Sequence, residues 1–328
     1  MTDSRNQAAA GPSPDSARWK RAALTAVKWG LFAVVVFFVG RALVEQIGAV
    51  DWDEVSVNVP LAVLAMAGAG AAKGIAFVPY GWLLSRLGKR PAWPAMMASV
   101  WTARAGRYVP GKIGAVVGVV WLLRRHGVPV KSAVSAVLLG DGLTVIVGAL
   151  IAVPVVLWEP IRTQVPLAWL VCMALMAVGL TCLHPRVFGA TANWMLRRLG
   201  REPLAAVPRV RDYALPALAL AGQYVLFGSA FWLMARSLVP VDASALPAFV
   251  SAATAVALGG FLAFFAPAGL GVQEGLLLVL FGPVIGGGVA AVLAVIMRLA
   301  QTLAELGLAL VGYLMYLRGK PPEERPPA

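Results

Sequence analysis

Seven polar or charged residues stand inside stretches that are otherwise strongly hydrophobic: Lys73, Arg104, Asp141, Glu274, Arg298, Gln301 and Glu305. A charge in hydrocarbon is costly, so each should face a cavity, an oppositely charged partner or both. Arg298, Gln301 and Glu305 recur at i, i+3 and i+7, which places them on one face of a single helix. A guanidinium in such a stripe can clamp a phosphate or carboxylate through its planar fork. Alternatively it forms a satisfied internal pair with Asp141 or Glu305. Glu274 can accept a proton or neutralise Arg104 or Arg298, and Lys73, between Gly70 and Gly74, either pairs with Asp141 or Glu274 or lines a cavity. Arg104, Arg107 and Lys112 gather three cations near one turn, where snorkelling toward the cytoplasm is the competing reading for Arg107 and Lys112.

These residues cluster around two interruptions. The first contains Pro110, Gly111, Lys112 and Gly114, and the second Pro267, Gly269 and Gly271. Proline removes an amide and glycine removes a Cβ, so an unbroken helix is disfavoured at both. Asp141 and Arg298 each follow their break's proline by the same 31 residues. Matching breaks in two halves of a membrane protein point to a binding site at the repeat interface. Half-helix N-termini there can aim free amides at an anion; for Gly114 with Gly118, a GxxxG spacing, close helix packing is the stronger reading.

The elements that must position this chemistry are helices in a bilayer. With 60% hydrophobic and 13% charged residues, the chain lies outside the range of soluble domains. Its net charge of +13 sits in short loops between apolar spans, which the positive-inside bias explains without nucleic acid. The fold class expected is an all-α polytopic membrane protein. About six full helices fall near 22–44, 60–85, 132–158, 166–183, 213–236 and 287–317, with two apolar hairpins at about 92–123 and 245–282. The hairpin arms, roughly 15 residues each, are short of the ~20 needed for a crossing and suit re-entrant half-helices.

Loop charges orient the chain. Arg18, Lys20 and Arg21 put the N-terminus in the cytoplasm, Asp51, Asp53 and Glu54 outside, and Arg124, Arg125, Lys131 and the arginines between 186 and 211 inside. Arg318 and Lys320 end the chain inside. Units 60–158 and 213–317 then run in opposite senses, an inverted-topology repeat joined through 166–212 within one membrane domain, 21–318; residues 1–20 and 319–328 read as cytoplasmic tails. Between the units, arginines interleaved with Trp194, Met195, Leu196 and Leu199 form either an interfacial helix or a plain basic loop. Trp52, Trp93 and Trp158 read as interface anchors.

No Walker loop, HExxH, Cys–His cluster or Gly-x-Ser-x-Gly elbow occurs, and His126 and His184 sit at span ends. The expectation is no catalytic residue, no metal and no cofactor. Cys172 and Cys182 are too few for a disulfide framework.

Pro267-x-Gly269-x-Gly271-x-x-Glu274 followed by Arg298, with Arg107-Tyr108-Val109-Pro110-Gly111-Lys112, resembles the flippase-like transmembrane domain of lysylphosphatidylglycerol synthases and its stand-alone relatives. The likeness runs from about residue 20 through nearly the whole chain. One departure is that Ala115, Val116 and Val117 follow Gly114 where that family commonly has an acidic residue and an arginine. The resemblance implies translocation of a lipid or lipid-linked substrate in the cytoplasmic membrane, alongside envelope synthesis, and no aminoacyl-lipid synthesis by these residues alone. The partners expected are membrane lipids: an anionic phospholipid or a polyprenyl-phosphate-linked glycan. Two alternatives stand: a glycosyltransferase-like enzyme drawing its base from Asp51, Asp53 or Glu54, and a scaffold for envelope-synthesis enzymes.

Overall fold

The computed structural model describes residues 57–88, 91–108 and 113–318 apart from a few single positions, with scattered residues between 37 and 48. Most of the expected span at 22–44, the acidic residues Asp51, Asp53 and Glu54, Trp52, the first tip's Pro110, Gly111 and Lys112, Leu199 and both tails lie outside the described residues.

The described chain is helical throughout. α1 (Val59–Gly74) starts where the Asn58 side chain accepts the Leu61 N–H at 3.2 Å and Pro60 occupies the first turn, the residue types that satisfy or dispense with unpaired amides. A 3-10 turn, Ile75–Phe77, carries it into α2 (Val78–Arg86), so one rod of 28 residues is long and apolar enough to cross the membrane. The first hairpin follows as α3 (Trp93–Ala103), a 3-10 stretch Arg104–Tyr108 and α4 (Ile113–Arg125). Next come α5 (Val130–Leu157), the short α6 (Glu159–Gln164), α7 (Ala168–Leu183) and α8 (Pro185–Arg198). The last third comprises α9 (Ala214–Leu238), α10 (Leu246–Leu262), α11 (Val272–Ile285) and α12 (Gly287–Arg318).

The two hairpins differ in length. α3 has 11 residues and α4 has 13, both well under a crossing, in keeping with a re-entrant loop. The second hairpin's helices, α10 with 17 residues and α11 with 14, come close to the roughly 15 expected. Only with the preceding 3-10 turns do they reach 20 residues (Ala243–Leu262) and 19 (Pro267–Ile285), and the latter stretch includes the tip itself.

α7 and α8 bend by 67° at His184, the residue before Pro185, where the proline ring disfavours helical backbone. Phe188, Ala192 and Leu196 on α8 pack against the bundle, while Trp194 and Met195 are exposed and Arg198 stacks over Trp194 at 4.7 Å.

Packing follows a crossed pattern. α12 lies against α3, and its counterpart α5 lies against α10; α12 also meets α1, as α5 meets α9, and α1 pairs with α9. The pattern is the exchange of partners expected of the two units read from the sequence. An aromatic cluster knits α9, α10 and α11 of the second unit together: Phe227, Phe231, Phe281 and Phe249 follow one another at centroid separations of 5.1, 5.8 and 4.9 Å. Edge-to-face and offset stacking of this kind fixes relative position beyond simple burial.

Candidate functional site

Each tip is held by a different device. In the second, Ala268, Gly269 and Gly271 all adopt positive φ (49°, 74° and 81°), so the chain makes a left-handed reversal that glycine permits and alanine resists. Glu274 stabilises it from the first turn of α11, where its Oε2 accepts the Gly271 N–H at 2.7 Å as a helix cap. Its other oxygen, Oε1, lies 3.4 Å from Arg298 Nε. Arg298 in turn donates through Nη1 to the Ala268 carbonyl at 3.2 Å and to Gln273 Oε1 at 3.0 Å. One guanidinium from α12 thus ties down the tip's backbone, its amide side chain and its capping carboxylate.

The first tip is held by charge. Glu305, two turns beyond Arg298 on α12, is buried and receives an ion pair from Arg107, another from Lys73 Nζ at 3.0 Å and a hydrogen bond from the Tyr108 hydroxyl at 3.2 Å. Arg104 Nη1 stands farther off, at 3.9 Å. Lys73 also lies over the Phe227 ring, 5.1 Å from its centroid. Backbone proximity makes this possible: a Cβ on Gly106 would sit 2.5 Å from the Gly114 carbonyl carbon. Gly114 thus packs closely within the hairpin, and Gly118 beside it approaches Ala103 of α3.

The two tips touch each other. Between them and α12 lies a small polar cleft, with room for about one water as it stands. Lys73, Arg107 and Tyr108 line it from the first unit, Ala268 and Gln273 from the second tip, and Arg298, Gln301, Thr302 and Glu305 from α12. Three cations therefore face one carboxylate across the wall, an arrangement suited to an oxyanion. Its carboxylate already accepts from two cations and a phenol, so it is no free general base. Among the described residues no group of three His, Cys, Asp or Glu side chains could hold a metal ion.

The structure sorts the residues singled out from the sequence. Lys73, Arg298, Gln301 and Glu305 line the cavity, while Glu274 lies behind the wall as the cap. Arg104 also stands behind, its Nε buried without a hydrogen-bond partner. Asp141 is elsewhere: on α5 it accepts the Tyr80 hydroxyl at 2.7 Å, in a space left by Gly140, whose Cβ would meet the Tyr80 ring at 2.6 Å. The pairings also differ in part from those expected. Arg298 meets Glu274, one of the two partners offered for that carboxylate, and not Asp141 or Glu305, whereas Lys73 meets Glu305 and not Asp141 or Glu274. Pro267, Gly269 and Gly271 form the second tip; Arg107, read as a snorkelling candidate, points to the cavity instead.

Tyr108, Gln273 and Thr302 were not picked out as wall residues. Thr302 had a signal, since it follows Arg298 by one helical turn on the polar stripe. Tyr108 had none, because it reaches Glu305 only through tertiary approach.

A family model described as the lysylphosphatidylglycerol synthase TM region matches residues 22–309, a stretch that contains both tips and every cavity-lining residue. The chain belongs to this family. It is accordingly a multi-pass membrane protein with a lipid-related role. No curated protein matches the chain. The family's transmembrane region here comprises the crossed helices, the two tips and the cavity they close around.

Proposed function

We propose that this member of the lysylphosphatidylglycerol synthase transmembrane family moves an anionic lipid or lipid-linked substrate between leaflets of the cytoplasmic membrane, with both termini in the cytoplasm. The observation that carries the reading is the cavity wall, where Lys73, Arg107 and Arg298 outnumber the single carboxylate of Glu305 between two tips. Such a surplus disfavours an apolar or cationic ligand and favours a phosphate-bearing headgroup. The acyl or prenyl chain stays in the bilayer while the headgroup crosses a polar path, which removes most of the cost of flipping it through hydrocarbon. Arg298 and Arg107 grip the phosphate, and Gln273, Gln301 and Thr302 supply neutral hydrogen bonds to the rest of the headgroup.

Alternation comes from the two units. A headgroup held at their interface is exposed to one face or the other as one unit rocks against its counterpart, the motion that inverted repeats permit.

The test is a dithionite-quench assay in phosphatidylcholine proteoliposomes carrying fluorescent phosphatidylglycerol. Wild type accelerates flipping, and Arg298→Ala lowers the protein-dependent rate at least about tenfold, the loss expected of a charge-assisted contact. Equal rates for wild type and variant would remove Arg298 from the mechanism. A cationic aminoacylated phosphatidylglycerol supplied in parallel should move more slowly than the anionic lipid.

A further inference from the structure

We infer that Glu305 is a resident counter-anion that the headgroup must displace: the substrate phosphate takes over Lys73 and Arg107, and Glu305 withdraws toward Arg104. This deepens the proposed lipid reading and rests on it. Among the described residues the wall's one carboxylate occupies the place where an anion would be best held, because Lys73, Arg107 and the Tyr108 hydroxyl all converge on it. A lysine has three donors and an arginine five, against about four acceptor sites on one carboxylate. Donors are therefore left over around Glu305, and the Arg104 Nε is a buried example with no partner at all.

A phosphate's unesterified oxygens match the carboxylate in charge and in capacity for bidentate bonding. Both anions cannot share Lys73 and Arg107, since like charges at that range repel strongly in a site with little water. Arg104 gives Glu305 somewhere to go. It is carried on the same 3-10 stretch as Arg107, already stands 3.9 Å from Glu305, and does not line the cavity itself.

The exchange has two consequences for turnover. While the site is empty, Glu305 keeps Lys73 and Arg107 on a shared partner, so neither cation is left bare. When the headgroup is to leave, the returning carboxylate competes for the same donors and keeps binding from becoming a trap. Competition of this type lowers apparent affinity and speeds release, so its removal should tighten binding and slow transport together. A merely structural ion pair predicts the reverse for affinity, because its loss would loosen the site.

The experiment uses the full chain in detergent, with dihexanoyl phosphatidylglycerol as the probe and glycerol 3-phosphate as the lipid-free control, and flipping measured in proteoliposomes. Glu305→Gln should bind the short-chain lipid about tenfold more tightly than wild type and flip the fluorescent lipid about tenfold more slowly. Glu305→Asp keeps the charge, guards against misfolding and should fall between them in both measurements. Unchanged or weaker lipid binding in both variants overturns the exchange, as does wild-type flipping by Glu305→Gln. Arg298-dependent lipid binding that is indifferent to Glu305 overturns the exchange alone. Absence of wild-type lipid binding overturns both readings, and glycerol 3-phosphate binding as tightly as the lipid overturns a lipid source for the anion.

Discussion

The two tips meet at one cavity but are built on opposite principles. The first is cationic and stands on short arms of 11 and 13 residues, and it is held because Arg107 and Lys73 find Glu305. The second carries no positive charge and stands on arms of 17 and 14 residues; left-handed backbone at Ala268, Gly269 and Gly271 and the Glu274 cap hold its shape. α12 serves both with charges of opposite sign, Arg298 for the second tip and Glu305 for the first, about 10 Å apart along its axis. One tip contributes charge and the other contributes geometry. In the proposed carrier both are needed, because charge alone binds without shape and a rigid turn alone binds nothing.

The sharpest way to break this contrast is at the glycines. Gly269→Ala should cost about 3 kcal/mol, because its φ of 74° resists a Cβ and that Cβ would meet Gly260 Cα at 2.9 Å. Gly106→Ala has only the steric component, a contact of 2.5 Å with the Gly114 carbonyl carbon, and should cost about 2 kcal/mol. Thermal unfolding in detergent gives the order, and a larger loss for Gly106→Ala would undo the claim that backbone conformation holds the second tip.

A smaller effect is expected at the cap. Glu274→Gln retains an acceptor for the Gly271 N–H but loses the charge facing Arg298, so a loss of about 1 kcal/mol should be confined to the second tip. Hydrogen exchange resolves this: faster exchange in 267–275 with 104–108 unchanged is the expected pattern. Exchange rising equally at both tips would mean that α12 couples them rigidly.

The smallest effect is one of pH. His126, at the far end of the first hairpin, is partly buried against Tyr316, and burial lowers its imidazole pKa below the ordinary value. The folded state thus refuses a proton that the open state accepts, and stability is lost as pH falls through about 6.5. Between pH 7.5 and 5.5, protection corrected for intrinsic rates should fall in 113–128 and stay level in 272–285, where no histidine occurs. Equal changes in both segments would separate His126 from the effect.

Much of this arrangement is legible in the sequence for local reasons. The spans at 59–86, 130–157, 210–238 and 287–318 come within a few residues of the hydropathy reading, because the need for about 20 apolar residues acts on contiguous chain. The stripe of Arg298, Gln301 and Glu305 follows from helical period alone. The 3-10 turns Ala243–Ala245 and Pro267–Gly269 before the second hairpin's helices were less legible, since they have no strong sequence signal. Asp141 looked equivalent to Arg298 by its spacing, but its neighbour Gly140 makes room for Tyr80, and it pairs there.

The sequence by itself settled that the chain lives in a membrane, where its helices break, and which charges cannot face lipid. Those are properties of single segments, governed by solvation cost and by backbone stereochemistry. Only the tertiary structure decided that Glu305 takes Lys73 and Arg107, that Arg298 takes Glu274, and that Arg104 stands behind the wall. Partner choice depends on which helices approach, and approach is fixed by the crossed packing of the helices, with close contacts such as Gly106 on Gly114 inside the first hairpin and the phenylalanine cluster joining α9, α10 and α11.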